Sequence, residues 1–225
     1  MTEINSKKVE ELFAAGAHFG YSKAKRHPST KDFVYGSKNR VEVIDLEKTV
    51  EALELAKEFL KETASRGGKI VFVASKNEVR KVVEEAATSI NMPYVANRWI
   101  GGTLTNFSEI RKRVNRLVKL RTGFEKGEFG AYTKKERLDM EKEMNKLSRY
   151  YEGVIEMKVM PKAIVLVDSD AEFNALKEAN DLNVPVIAIS NTDCDVSKVK
   201  HPIIANDTSK EAVEIILKDL VSGVK

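Results

Sequence analysis

The sequence predicts an α/β fold in which a parallel sheet lies between two layers of helices, with an antiparallel helical hairpin inserted into it. Three observations support this prediction. Short, nearly continuous apolar runs such as 69–74 are typical of strands buried on both faces of a parallel sheet. Each run is linked to a segment with helical spacing of its apolar residues, as in 46–64. Residues 105–155 break this alternation, because they contain two helical segments and no strand pattern.

The N-terminal part is predicted to form a short helix and then a basic arm. Apolar spacing favours a helix over 7–16, which a glycine ends. Residues 18–40 hold six Lys or Arg against one Asp, and 22–28 show no apolar periodicity. We therefore expect 18–40 to be a basic arm that lies on a partner, with a disordered surface loop as the alternative.

Strands and helices then alternate along the chain. The predicted strands are 41–45, 69–74, 94–95, 163–167, 185–189 and 202–204, and the predicted helices are 46–64, 75–90, 169–182 and 210–221. Five pairs have the spacing of a helix N-terminal cap: Ser75 with Glu78, Asn106 with Glu109, Thr133 with Glu136, Ser169 with Glu172 and Thr208 with Glu211. Because alternating strands and helices give parallel sheets, we expect a flavodoxin-like or Rossmann-like three-layer domain.

Residues 105–155 contain two narrow apolar seams. Their members lie three and four positions apart: Phe107, Ile110, Val114 and Leu117 in the first, and Met140, Met144, Leu147, Tyr151 and Val154 in the second. Glycines at 123, 127 and 130 indicate a loop between them. This pattern predicts an antiparallel hairpin, a coiled-coil protrusion. The α/β domain would then consist of 1–104 and 156–225, with the hairpin inserted at 105–155.

Composition limits the class and the location of the protein. No apolar run approaches the roughly 20 residues that cross a bilayer. The N-terminus lacks the charged-then-apolar layout of a signal peptide. Cys194 is the single cysteine, so no disulfide framework is expected. We expect a cytoplasmic protein without membrane contact.

Two stretches have some features of an enzyme site. Arg66-Gly67-Gly68-Lys69 is similar to a phosphate loop, but its glycines precede a strand instead of joining a strand to a helix. Asp168-Ser169-Asp170 follows a strand, as the paired aspartates of magnesium-dependent phosphotransferases do, yet Ser169 already has a sufficient role as a helix cap. We therefore expect no catalytic residue and no cofactor.

Asp193-Cys194-Asp195 is a candidate metal site, with His18 or His201 as a further ligand. The three histidines of the chain show none of the spacing that makes zinc sites recognisable. No metal ligand is therefore assigned. Whether a structural cation binds near Asp193–Asp195 is left open.

Nucleic-acid binding is the chemistry that the residues favour. Residues 98–149 hold 14 Lys or Arg against 7 Asp or Glu, and a helical stripe of cations can follow a phosphate backbone without reading its sequence. An arginine can bind a phosphate with two bonds and a tryptophan can stack on a base, although a core position is the alternative for Trp99. The predicted RNA-binding residues are Lys23, Lys25, Arg26, His27, Arg98, Trp99, Arg111, Lys112, Arg113, Arg116 and Lys119.

Six segments resemble bacterial small-subunit ribosomal protein two, the S-two family. They are Val43–Thr49, Arg66–Val73, Asn97–Phe107, Val184–Ile189, Asn191–Asp195 and Ala205–Asp207. The matches follow one another in order from about His18 to Asp207, which is nearly the whole chain. The resemblance therefore rests on several independent motifs.

The resemblance implies a structural component of the small ribosomal subunit. It implies contacts with small-subunit ribosomal RNA and neighbouring proteins near the head–body junction, and in many bacteria a role in docking the S-one protein, which captures messenger RNA. Two other functions stay open at this point. One is an α/β enzyme that acts on a phosphorylated small molecule through Asp168 and Asp170, and the other is an interaction module that acts through the hairpin alone.

Overall fold

A small antiparallel sheet opens the fold. The computed structural model describes residues 3–224. After helix α1 (Glu3–Ala14), strands β1 (Phe19–Ser22), β2 (Val34–Lys38) and β3 (Val41–Ile44) pair in the order β1-β3-β2. Two predictions are corrected here. The strand at 41–45 belongs to this sheet and not to the parallel one, and 18–40 is not an arm, because β1 and β2 hydrogen-bond to the two edges of β3.

The central sheet is parallel and has five strands. They are β4 (Ile70–Val73), β5 (Tyr94–Val95), β6 (Ala163–Val167), β7 (Val186–Ser190) and β8 (His201–Ile204), in the order β5-β4-β6-β7-β8. Every residue of β4, β6 and β7 is buried, which explains their continuous apolar sequence. The strand predictions for these segments are confirmed.

Two helical layers cover the parallel sheet. The helices are α2 (Leu46–Ser65), α3 (Arg80–Ser89), α4 (Phe107–Glu125), α5 (Lys134–Tyr151), α6 (Phe173–Asp181) and α7 (Lys210–Ser222). On β4, Ile70 and Phe72 point into a core shared with α1, α2, α3 and α7, while Val71 and Val73 point into a core shared with α4 and α6. The predicted three-layer α/β fold is confirmed.

Helices α4 and α5 pack against each other and are joined by the 3-10 turn Glu128–Ala131. The apolar seam of α4 packs against the parallel sheet as well as against α5, because Ile110 and Val114 lie in the same core as Val73. Gly123, predicted to lie in the loop, is instead buried within α4. A Cβ there would come within 2.5 Å of the Phe129 ring, so this close approach requires glycine.

Only one of the five predicted caps forms as predicted. Thr133 and Glu136 make a complete capping box at the start of α5. Asn106 precedes α4 but makes no side-chain cap bond, and Ser209 rather than Thr208 caps α7. The other two helices begin later, at Arg80 and Phe173. Within residues 3–224, no helix has the length and apolar character to span a membrane.

Candidate nucleic-acid interface

The loop between β5 and α4 is folded around one carboxylate. Glu178 of α6 is only 8% exposed, and its Oε1 accepts hydrogen bonds from the Trp99 indole at 3.0 Å and the Gly102 amide at 2.8 Å. Its Oε2 accepts from the backbone amides of Leu104 at 2.9 Å and Thr105 at 3.2 Å, and from the Thr105 hydroxyl at 3.3 Å. Gly102 has a positive φ of 89°, which lets the chain turn back toward this acceptor.

The charge of Glu178 is stabilised by these donors. Burial acts to raise the pKa of Glu178, but the hydrogen bonds from Leu104, Trp99 and Gly102 outweigh burial, so the pKa lies below its ordinary value. The loop Arg98–Phe107 therefore has a fixed conformation that depends on an ionised side chain from another helix.

The two residues that begin the loop, Arg98 and Trp99, lie in different environments. Trp99 is 4% exposed, lies in the core and donates its indole N–H to Glu178. The predicted contact of Trp99 with RNA is therefore corrected, because a buried ring offers no face to a base. Arg98 is exposed, and it makes no ion pair with a carboxylate in the part of the chain that the structure describes. Its guanidinium faces solvent from a rigid loop.

Three of the predicted cations on α4 are bound within the protein. Arg111 donates to the backbone oxygens of Ile155 at 2.9 Å and Met157 at 3.2 Å, so it links α4 to the segment before β6. Lys112 pairs with Glu109 at 2.6 Å. Arg116 makes two bonds to Glu143 of α5, at 2.7 and 3.2 Å, which joins the two helices. The predicted stripe of cations is thus partly neutralised.

Two cations of α4 are not neutralised in this way. Arg113 and Lys119 are exposed, and neither forms an ion pair within residues 3–224. With Arg98, they give the loop and α4 a surface on which positive charge is available to an anion.

The basic segment near the N-terminus is tied to the loop after β7. The backbone N–H of Tyr21 donates to the Thr192 hydroxyl at 3.0 Å, and that of His27 donates to the Thr192 carbonyl at 2.9 Å. Arg26 is used internally, since it pairs at 2.9 Å with Glu42, whose side chain is 1% exposed. This segment is therefore packed against the body.

The remaining basic residues of this segment face solvent to different degrees. The Nδ1 atom of His27 lies 2.8 Å from the Ser29 hydroxyl and 3.7 Å from an Asp195 carboxylate oxygen. Lys25 is exposed and lies over the Tyr21 ring at 5.4 Å. Lys23 is exposed and makes no ion pair in the described part of the chain. Lys23 and Lys25 thus keep their charge available.

The carboxyl edge of the parallel sheet, where such folds usually bind ligands, is closed by a lysine. Lys76 follows β4, and its ammonium lies 2.7 Å from Asp168 after β6 and 2.8 Å from Asp207 after β8. Burial acts to lower the pKa of Lys76, but its bonds to both carboxylates outweigh burial and raise it. The aspartate considered as catalytic is therefore already occupied by an internal cation.

The second aspartate of that motif does not join the cluster as a side chain. Asp170 is exposed, and its backbone N–H donates to Asp168 at 2.9 Å. Asp168 also accepts from the Ala171 amide at 3.0 Å, and it has a positive φ of 68°. Asp168 thus shapes the turn before α6, whereas the cap that was predicted for Ser169 does not form.

The group with metal-ligand spacing differs from the residues that the sequence offered as candidate ligands. Within residues 3–224, the one group with metal-ligand spacing consists of Asp168, Cys194 and Asp207, whose ligand atoms lie within 4.8 Å of one another. Lys76 already bridges the two carboxylates of this group. Burial raises the pKa of Cys194 to about 12, so its thiol stays protonated. His201 instead packs against Phe59.

The backbone hydrogen bonds of residues 66–69 also argue against a phosphate loop. The amide of Gly67 donates to Ala64 at 2.8 Å and that of Gly68 donates to Thr63 at 3.0 Å. Both amides therefore close the end of α2 and are not free to bind a phosphate.

Sequence reasoning missed Glu178 and Lys76 as organising residues. One signal was available for Glu178, since it lies on the same helical face as Ala175 and Ala179, where an apolar residue is expected. Lys76 and its two carboxylates are far apart in the sequence, and only the order of strands brings them together.

The fold and the site together define an α/β protein whose ligand edge is closed by its own lysine and which, within residues 3–224, exposes cations that make no ion pair. The family model described as Ribosomal protein S2 matches residues 12–225, and the chain belongs to this family. Members of the family are structural constituents of the ribosome and are not enzymes.

Curated relatives carry the same family assignment. The chain is 39% identical to the small ribosomal subunit protein uS2 of Mycobacteroides abscessus, over 96% of this chain and 78% of the relative. It is 40% identical to the protein of that name from Mycolicibacterium vanbaalenii, over 96% of this chain and 79% of the relative. It is also 40% identical to that from Mycobacterium leprae, over 96% of this chain and 78% of the relative.

Proposed function

We propose that this protein is a structural component of the small ribosomal subunit that binds small-subunit ribosomal RNA through its unpaired surface cations. The observation that carries the proposal is the contrast between two sets of charges. The partly buried Lys76 is compensated, because its ammonium pairs with Asp168 and Asp207. Among the predicted RNA-binding residues, the exposed cations that make no ion pair in the described part of the chain are Lys23, Lys25, Arg98, Arg113 and Lys119.

This surface suits phosphate contacts and not base recognition. Lysine and arginine bind phosphate oxygens and release condensed counterions, which gives affinity without sequence readout. The one tryptophan of the chain is buried, so it supplies no stacking platform. The RNA would accordingly be recognised by its shape and charge.

The proposed setting is a ribosome-bound protein in the bacterial cytoplasm, near the head–body junction of the subunit. Neighbouring small-subunit proteins would be its other partners, and docking of the S-one protein is a further proposed role. Residues 105–155 supply much of the exposed charge that such contacts could use.

Reversal of single charges tests the RNA contact. The variants Arg113→Glu and Lys119→Glu should weaken association with small subunits, and the double variant should lower the slope of log affinity against log salt by about 1–2. The matched control is Lys81→Glu, which reverses an exposed helical lysine on α3, on the opposite face of the sheet. Sucrose-gradient sedimentation at low and high salt, with blotting for the protein, gives the measurement.

Two outcomes would contradict the proposal. If the wild-type protein stays at the top of the gradient at both salt concentrations, it is not a subunit component. If it co-sediments but the double variant behaves as the Lys81→Glu control does, association depends on protein contacts and not on these cations.

A further inference from the structure

A cleft at the amino edge of the parallel sheet lies opposite the closed carboxyl edge. Its volume is about 630 Å³, which can accept one or two large side chains. The end of α2, the loop 66–69, the segment 159–162 before β6 and Pro185 before β7 form its walls. The glycine motif that resembled a phosphate loop therefore contributes to a cleft, although its amides bind no ligand.

The backbone of this cleft is held rigidly. Gly67 has a positive φ of 70°, and a Cβ at Gly68 would come within 2.8 Å of the Thr63 carbonyl and 3.1 Å of the Lys162 Cβ. The Lys162 amide also donates to the Lys69 carbonyl at 2.8 Å. Gly67 is thus favoured by its backbone conformation and Gly68 by the close approach of the two walls, and the cleft exists before any partner binds.

The surface of the cleft combines an apolar floor with a rim that is positive on balance, since Glu62 on the rim is paired with Arg66 while two lysines make no ion pair in the described part of the chain. Val159 is 60% exposed, and Met160 and Pro185 are partly exposed beside it. Lys69 donates to the Asn91 carbonyl at 3.3 Å, which leaves its charge uncompensated, and Lys162 is exposed without an ion pair in the described part of the chain. An apolar patch with a charged rim is typical of an interaction site.

The chemistry of the floor favours a peptide over RNA. A base needs an exposed aromatic face, but Phe59, the one aromatic residue that lines the cleft, is partly buried, and its ring already contacts His201 at 4.8 Å and the Lys200 ammonium at 4.9 Å. The other floor residues are aliphatic or contain sulfur, which suits an apolar side chain. The two lysines, which make no ion pair in the described part of the chain, suit carboxylates on the same partner.

We propose that this cleft binds an acidic peptide segment of a neighbouring protein, with an apolar side chain on Val159 and Met160 and carboxylates on Lys69 and Lys162. The inference rests on the proposed function, because the neighbour is a protein of the assembled subunit. It adds a contact on the side of the sheet opposite to the closed ligand edge.

Photo-crosslinking in assembled subunits tests this contact. Val159 of the full chain is replaced by p-benzoylphenylalanine, and Tyr35, which is 82% exposed on β2, is replaced in the same way as a control. The crosslinked product is identified by mass spectrometry in the small-subunit fraction. We expect a product with a protein segment that carries Asp or Glu beside a large apolar residue. The double variant Lys69→Glu, Lys162→Glu should lower its yield by about tenfold.

Each other outcome overturns the inference. A product with RNA, a product with a peptide that lacks acidic residues, a yield no higher than at position 35, or a yield unchanged by the charge reversal would each do so. If the chain is in the small-subunit fraction without the expected product, only the inference fails. If the chain is absent from that fraction, the proposed function fails and the inference fails with it.

Discussion

Replacing Glu178 with Gln is expected to destabilise the protein substantially, because the loop Arg98–Phe107 is folded around that carboxylate. Glu178 accepts bonds from three backbone amides, the Trp99 indole and the Thr105 hydroxyl. A Gln side chain keeps one acceptor oxygen and turns an NH₂ group toward the remaining donors. Two N–H groups would then lose their acceptor, either the Trp99 indole with the Gly102 amide or the amides of Leu104 and Thr105.

The magnitude follows from the number of donors that lose their acceptor. Hydrogen bonds to a charged group contribute about 1.5–3 kcal/mol each, but these bonds share one carboxylate and its desolvation, so they do not add. We expect a loss of about 3–5 kcal/mol, as when one partner of a buried charged cluster is removed. For a chain of 225 residues this lowers Tm by roughly 10 °C.

The effect should depend on pH in a defined direction. The folded pKa of Glu178 lies below the ordinary value of 4.5, so the stability that its ionised form contributes is present above 4.5 and is lost as the pH falls through the folded pKa. Glutamine does not titrate. The difference between the wild type and Glu178→Gln should therefore be largest at neutral pH and become smaller in acid.

Urea denaturation followed by circular dichroism measures the global loss, and the fluorescence of the single tryptophan reports on the loop itself. The matched control is Glu85→Gln on α3, where the side chain is exposed. A loss below about 1 kcal/mol for Glu178→Gln would refute the reasoning, since that is the size of one ordinary hydrogen bond. An emission spectrum unchanged from the wild type would refute it as well.

Two further predictions concern stability. The variant Lys76→Met leaves Asp168 and Asp207 facing each other without a cation, so it should cost about 3–5 kcal/mol in urea denaturation at neutral pH, and less in acid, where a carboxylate takes up a proton. An equal cost at both pH values would contradict the role of Lys76 as counter-ion. The variant Thr133→Ala removes the cap that α5 shares with Glu136 and should cost about 1 kcal/mol; an unchanged urea midpoint would show that the capping box contributes nothing.

Local sequence patterns predicted the regular elements well where one pattern decided the structure. The continuous apolar run of β4 predicted a strand correctly because a strand that is buried on both faces has apolar residues at every position. The apolar stripe along α2 predicted a helix correctly because a helix that is buried on one face has apolar residues at helical spacing. The predicted strand at 41–45 was also a strand, but its partners could not be inferred, since pairing with β1 and β2 depends on contacts between separate segments.

The false caps show a competition between local and tertiary bonds. Ser75 and Glu172 each belonged to a predicted cap, yet in the structure the Ser75 amide donates to Glu172 at 2.7 Å across the sheet edge. A motif of two residues cannot reveal that its carboxylate is already engaged by a distant amide. The same limit applies to the candidate site. The sequence predicts that Arg116 is a cation free to bind RNA, but in the structure it forms an ion pair with Glu143.

The hydrogen bonds from the loop Arg98–Phe107 to the Glu178 carboxylate also affect how Arg98 binds an anion. The backbone of Arg98 belongs to a loop whose Gly102 and Leu104 amides already donate to Glu178, so the position of this backbone is fixed before any encounter. A flexible tail must lose conformational freedom when it binds RNA, whereas this loop has lost it during folding of the protein. Association through Arg98 should accordingly resemble rigid docking more than induced fit, and the amide protons of Gly102 and Leu104 should exchange slowly even in the free protein.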